Sequence, residues 1–440
     1  MNATQSLAPA LAACLLLGAG LLAGGAPVST AQSQEAAQPA YSKGFLKAAG
    51  KVQKLVQEEK WGEALVAIDD LEQVKDLNED DYSVIFSWKL QSLRGVGDEA
   101  ALNAFLEEYL ASGRARPAQV GPIHQQLAAW YNRQKDADKT RFHYGKFIEA
   151  TPDASAQEYE TLGRLYFQAG EHAPAVQWLG KAIETAVAAG EQPRELWFQL
   201  RDQSFVELGD GAGRIANLEA LVKQFPKAEY YSRVLALYAA ASNDDRVLML
   251  NGYRLAVSDT GLETVGQYLS YAELAIAVGS PGEAERALLK GMAAGVVPEA
   301  GSNQQLLAEA RTAAARDRRD LPKDAAAAES SKSGEVDAKI GLGFYSIGEA
   351  EKAVALVQRG LDKGGVQRVD DAQLLLGAAL LELGQYEAAR AAFARAAEAA
   401  GSGSQMARMA GLWDGYAQRK APPSSNVADD AGADGANGPG

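Results

Sequence analysis

The chain has 440 residues, of which 47% are hydrophobic and 23% charged, with one cysteine and a formal charge of −14. A chain of that length and apolar content can bury a large core. Its acidity excludes a nucleic-acid role, because phosphate binding needs a Lys/Arg-rich face.

Residues 1–31 contain no Asp, Glu, Lys or Arg. An apolar run from Leu7 to Ala26 is followed by Pro27-Val28-Ser29-Thr30-Ala31, which resembles a secretory signal cut after Ala31. Two alternatives stay open. About 20 apolar residues can also span a bilayer as an uncleaved anchor, and Leu11-Ala12-Ala13-Cys14 resembles a bacterial lipoprotein box. The resemblance implies export to a bacterial periplasm or cell envelope, with membrane contact only through this N-terminal segment. A cut after Ala31 leaves no cysteine, so disulfides are excluded from the mature chain. Residues 32–41 read as a small, polar linker.

From residue 42 one unit recurs: an apolar stripe at helical spacing, a turn, then a second stripe. The first has Trp61, Ala64, Ile68 and Leu71 in its second helix. The second runs from Tyr82 through Phe105 to Tyr109, and the third from Leu127 through Tyr144 to Phe147. The fourth is clearer, with Leu162, Gly163, Tyr166, Gly170, Ala175, Leu179 and Ala182. A fifth spans Glu195 to Pro226, a sixth Glu229 to Leu255, and a seventh contains Tyr271, Gly279, Ala284 and Leu288. Residues 301–333 break the rhythm as a lone extra helix followed by a charged, then Ala- and Ser-rich stretch containing Pro322, which reads as a hinge loop. Two more units fill 334–420, and the tail 421–440 is too polar to bury a core.

The ninth unit, DDAQLLLGAALLELGQYEAARAAFARAAEAAG from Asp370, is the plainest. Leu375, Leu376, Ala379, Leu380 and Leu383 form one stripe, Gly384 stands where a helix wants a left-handed C-terminal residue, and Tyr386, Ala389, Ala392, Phe393 and Ala396 form the next. Neither helix can bury its stripe without a neighbouring hairpin. The residues Leu376, Gly377, Gly384, Tyr386, Ala389, Phe393 and Ala396 resemble the tetratricopeptide repeat. The eighth and ninth units start 36 residues apart, near Gly334 and Asp370, against ~34 for that repeat. The resemblance implies an all-α chain, a right-handed α-solenoid of about nine hairpins, with a long N-terminal part over 42–300 and a short C-terminal part over 334–420.

No catalytic constellation accompanies these hairpins. His124, His143 and His172 are the only histidines, and none makes a metal-ligand spacing, so they read as isolated surface or interface side chains. Gly341, Gly343 and Gly348 lack the strand and the Lys-Ser/Thr of a phosphate loop, and Gly209 to Gly213 reads as a wide inter-helix turn. The acidic runs at 69–70 and 79–81 lack a calcium-loop pattern and read as solvated helix ends. Six tryptophans are spread one per hairpin, as packing residues are. No enzyme, cofactor or metal is expected.

The tetratricopeptide resemblance implies that first helices line a concave groove, with its positions at Arg164 and Gln168, Leu237 and Ala241, Leu342 and Ser346, and Ala378 and Glu382, flanked by Phe167 and Tyr345. It implies a protein-binding scaffold whose partners are envelope proteins. An exported repeat array ending in LWDGYAQRK also looks like repeat proteins that accompany TonB-type energy-transducing complexes. The alternative is a glycan- or peptidoglycan-binding protein, which requires Trp and Tyr side chains gathered in one groove.

Overall fold

A computed structural model describes residues 39–241 and 245–422 of the chain. The leader with Cys14, most of the linker and nearly all of the 421–440 tail lie outside the described residues, so the expectations for them stand as such. Within them the chain folds into twenty helices and no strand, all-α as its periodicity requires. It divides into two compact units at Glu191/Gln192.

The first unit holds four hairpins: α1 (Lys43–Gln57) with α2 (Trp61–Glu72), α3 (Glu79–Val96) with α4 (Glu99–Ala111), α5 (Pro117–Arg133) with α6 (Ala137–Glu149), and α7 (Ala156–Gln168) with α8 (His172–Ala188). Polar side chains start these helices by satisfying orphan amides. Ser42 caps α1, Asp98 caps α4, and Ser155 with Glu158 forms a capping box on α7. The acidic run at 79–81 is only partly solvated. Asp81 is fully buried, closes a capping box with Asn78 and accepts the Ser42 N–H at 3.1 Å, which ties the starts of α1 and α3 together. Phe45 of α1 stacks on Trp88 of α3 at 6.1 Å in the core beneath.

The second unit holds α9 (Glu195–Leu208) and α10 (Gly211–Gln224), α11 (Ala228–Ala241) and α12 (Arg246–Asp259), α13 (Val265–Ala277) and α14 (Pro281–Ala293), the single α15 (Ser302–Ala328), α16 (Gly334–Ser346) and α17 (Ala350–Lys363), α18 (Val369–Glu382) and α19 (Tyr386–Ala400), and α20 (Gln405–Lys420). The turn between α9 and α10 is tight rather than wide: Gly209 ends α9 at φ 65° and Asp210 already caps α10, accepting from Gly213 N–H at 2.8 Å. Gly384 takes the left-handed conformation, φ 70°, expected between α18 and α19.

Residues 316–328 are helical rather than the hinge loop that their charge and Pro322 suggest, and only 329–333 form a short turn. Helix α15 runs unbroken for 27 residues and packs against α14 and α16. Its buried residues Leu307, Ala310, Ala314, Leu321 and Ala328 recur at three, four or seven places and so fall on one face. Pro322, next to Leu321, is exposed and lies outside that face.

Unit two also closes on itself. Helix α20 lies against α19 and returns to α10 and α12, where Arg408 pairs with Glu219 at 2.9 Å, Tyr416 donates to the Ser258 carbonyl at 3.0 Å, and Arg419 pairs with Asp259.

Candidate partner-binding surface

In unit one the clearest hairpin presents Arg164, Phe167 and Gln168. Gly163 lets α7 lie directly on α8, since a Cβ there would come within 2.8 Å of Leu179 Cγ. That contact buries one side of α7 and leaves Arg164 and Gln168 exposed on another. The Arg164 guanidinium stands 3.7 Å from Glu160, whose side chain is only 3% exposed. Phe167 is half-buried, edge-on to His172 at 5.7 Å. Beside them Arg141 of α6 bridges Asp138 and Glu171, both at 2.8 Å.

The corresponding positions of unit two have a different fate. Leu237 and Leu342 are half-buried, Ala378 is buried, Ala241 and Glu382 are exposed, and Ser346 and Tyr345 are buried, Tyr345 at 5% exposure. The Tyr345 ring lies 5.6 Å from the Arg254 guanidinium and 5.9 Å from that of Arg286. Arg254, 2% exposed, makes a two-pronged pair with Glu283 at 2.8 and 2.9 Å. Tyr271 and Ser280 each donate to the same carboxylate, at 3.0 and 2.8 Å. Arg254 also donates to Asn251 at 3.1 Å, and Asn251 donates to Asp371 at 2.8 Å, reaching 120 residues along the chain.

Charge follows from this packing. Burial pushes the Glu283 carboxyl up, but Arg254 and its hydrogen bonds outweigh burial and hold it below the usual carboxylate range, so the pair stays ionised. Burial pushes Asp371 up, and the charge of Arg254 and the hydrogen bond from Asn251 offset it only in part. These side chains are committed to one another, and the polar cluster joins α12, α14, α16 and α18.

Sequence reading did not find this cluster. Its pairs are 29 and 120 residues apart, and the one local signal is Arg254 standing inside the apolar run from Leu248 to Val257. A second group also differs from expectation. His124 of α5 and His143 of α6 are not isolated: both are buried, with their Nδ1 atoms 2.9 Å apart. Their rings pack with Tyr131, stacked on His143 at 5.4 Å, and Glu107 lies 3.6 Å from His143 Nε2.

Among the described residues no three His, Cys, Asp or Glu side chains gather as a metal site, and no helix is long and apolar enough to cross a membrane. Trp88, Trp197 and Trp413 are buried in separate parts of the fold, and the other three indoles are half-buried.

Residues 370–402, which are the hairpin α18–α19, match the tetratricopeptide-repeat family. The hairpin α18–α19 is a tetratricopeptide repeat. No curated protein matches the sequence. Among solved structures, this repeat protein is similar to a tetratricopeptide repeat protein from Parabacteroides merdae, at 14% identity over 67% of this chain and 99% of that one with a TM-score of 0.24. It is also similar to yeast Tom70, at 11% identity over 86% and 96% with a TM-score of 0.22. Scores that low add nothing beyond the hairpins themselves. Stacked hairpins of this kind are protein-binding scaffolds in general.

Proposed function

We propose that this tetratricopeptide-repeat protein is a non-catalytic scaffold of the bacterial cell envelope that holds a segment of a partner protein on the first-helix surface of its first unit. The observation that carries this reading is the contrast between the units. Arg164 and Gln168 remain exposed on α7, with the Phe167 ring beside them, whereas Tyr345 and Ser346 are consumed inside unit two. An exposed arginine next to a half-buried ring suits a peptide that offers a carboxylate or carbonyl and an apolar side chain. The charge-free apolar leader supports export, and with it envelope partners, among which the components of a TonB-type complex are one class.

The glycan-binding alternative has less support. It needs indoles gathered in one groove, and three of the six are sealed in the core.

Crosslinking in the host followed by mass spectrometry tests the scaffold reading. A few envelope proteins should be captured by the native chain and lost when Arg164, Phe167 and Gln168 are all changed to Ala while helicity is unchanged. Equal capture by the triple variant would remove α7 from the binding surface, and capture of glycan alone would overturn the reading.

A further inference from the structure

Between the two helices of the second hairpin, α3 and α4, with Glu72 of α2 at its rim, lies a recess of about 220 Å³. We propose that it takes one aromatic side chain of a partner segment that carries a carboxylate beside the ring. This site is separate from the α7 surface and stands whether or not that surface binds.

Its walls set the ligand's shape. Helix α3 contributes Tyr82 and Phe86 one turn apart, and α4 contributes Phe105 and Tyr109 in the same register. Phe86 stacks on Tyr109 at 4.0 Å and on Phe105 at 5.6 Å; Phe86 and Tyr109 are buried and form the floor, and the half-buried Phe105 is the ring open to a ligand. A ring laid against it gains ring–ring contact beyond its buried area. A recess of this size exceeds the ~150 Å³ that accommodates benzene and falls short of the ~300 Å³ at which whole small-molecule sites begin. It therefore suits a single side chain.

The rim sets the charge. Lys89 is already neutralised, 3.2 Å from Asp69 and 2.9 Å from Glu72. Arg114 is not: among the described residues no carboxylate ion-pairs with it, and its guanidinium is held 4.1 Å from the Tyr82 ring centroid. Stacking fixes the fork in place and leaves its edge donors free for a carboxylate. Glu108, exposed and unpaired at the same recess, is the competing charge, and it would select a cationic ring instead. Both groups are exposed, and Arg114 is favoured because the Tyr82 ring already orients its guanidinium, while no ion pair among the described residues fixes the Glu108 carboxylate.

Three probes titrated into the full chain by calorimetry decide between these charges: N-acetyltryptophan, its neutral amide, and tryptamine. The acid should saturate the site, and the amide should bind about tenfold or more weakly, as loss of a charge-assisted hydrogen bond implies. Arg114→Gln, in an exposed turn, should abolish the difference between acid and amide, and Phe105→Ala should weaken both, with circular dichroism confirming that it folds. Equal binding of acid and amide, preference for tryptamine, or no saturable binding of any probe would each overturn the proposal.

Discussion

Ser346, the last residue of α16, caps the start of α14 from 64 residues away: its Oγ accepts the Gly282 N–H at 2.8 Å. Ser280, the local cap residue, has turned instead to donate to Glu283 at 2.8 Å. One hydroxyl thus satisfies an orphan amide at the buried junction between hairpins on either side of α15. Ser346→Ala should lower the stability of unit two by about 1–2 kcal/mol, the usual cost of a lost cap. Gly282→Ala should cost more, because its Cβ would collide with the Ser346 carbonyl. Urea unfolding of the isolated substitutions measures both, and a Ser346→Ala curve superimposable on the native one would refute the cap.

The Arg254–Glu283 pair predicts an asymmetric response. Removing one partner leaves an uncompensated buried charge, so Arg254→Ala should destabilise unit two by about 3–5 kcal/mol. Replacing both, as Arg254→Met with Glu283→Leu, should recover much of that loss, since an apolar pair carries no desolvation penalty. A double-mutant cycle in denaturant gives the coupling. If the double variant is no more stable than Arg254→Ala alone, the pair does not act as a unit.

These two cases show what was legible in the sequence. The hairpins were, because apolar stripes and turn glycines such as Gly384 are local signals of period and φ. The polar cluster was not, since Asn251 and Asp371 meet only after α18 has come back onto α12. Of the positions singled out, Arg164, Gln168 and Glu382 are exposed, whereas Tyr345 is buried because it packs against Arg254 and Arg286. Close helix approaches were half legible: Gly377, which meets Phe393, stands at a position of the repeat pattern, whereas the direct backbone contact of Gly334 with Gly360 has no local pattern.

Helix α15 makes a prediction about proteolysis. A loop at 316–328 would offer trypsin Arg316, Arg318, Arg319 and Lys323, all exposed, whereas Lys332 lies in the turn after the helix and is cleavable either way. A continuous helix pinned by Leu321 and Ala328 does not fit a protease cleft without local unfolding. Limited trypsin digestion of the native chain should therefore spare these four sites until global unfolding, and early cleavage among them, read by mass spectrometry, would contradict the helix.

The buried histidine pair makes unit one sensitive to mild acid. At 2.9 Å one Nδ1 donates and the other accepts, which requires at least one neutral ring. Burial, then the neighbouring His143 and Lys146, brings His124 down to about 4, with Glu149 opposing. Burial also lowers His143, with Glu107 opposing and Lys139 assisting. An unfolded imidazole takes its proton near pH ~6.5. Between those values the unfolded chain binds more protons than the folded one, so the stabilisation is complete above pH ~6.5 and is lost as pH falls towards 4. The shift on His124 corresponds to at most about 3 kcal/mol at its full extent. Other groups titrate nearby: Glu283, held low, adds acid sensitivity at lower pH, whereas Asp371, pushed up by burial, works in the opposite direction. The diagnostic quantity is therefore a difference. His124→Asn keeps an acceptor for His143 but cannot be protonated, so the gap in unfolding free energy between native and variant chains should narrow steadily from pH 7 to pH 5. Parallel profiles for the two chains over that range would show that the pair does not titrate with folding.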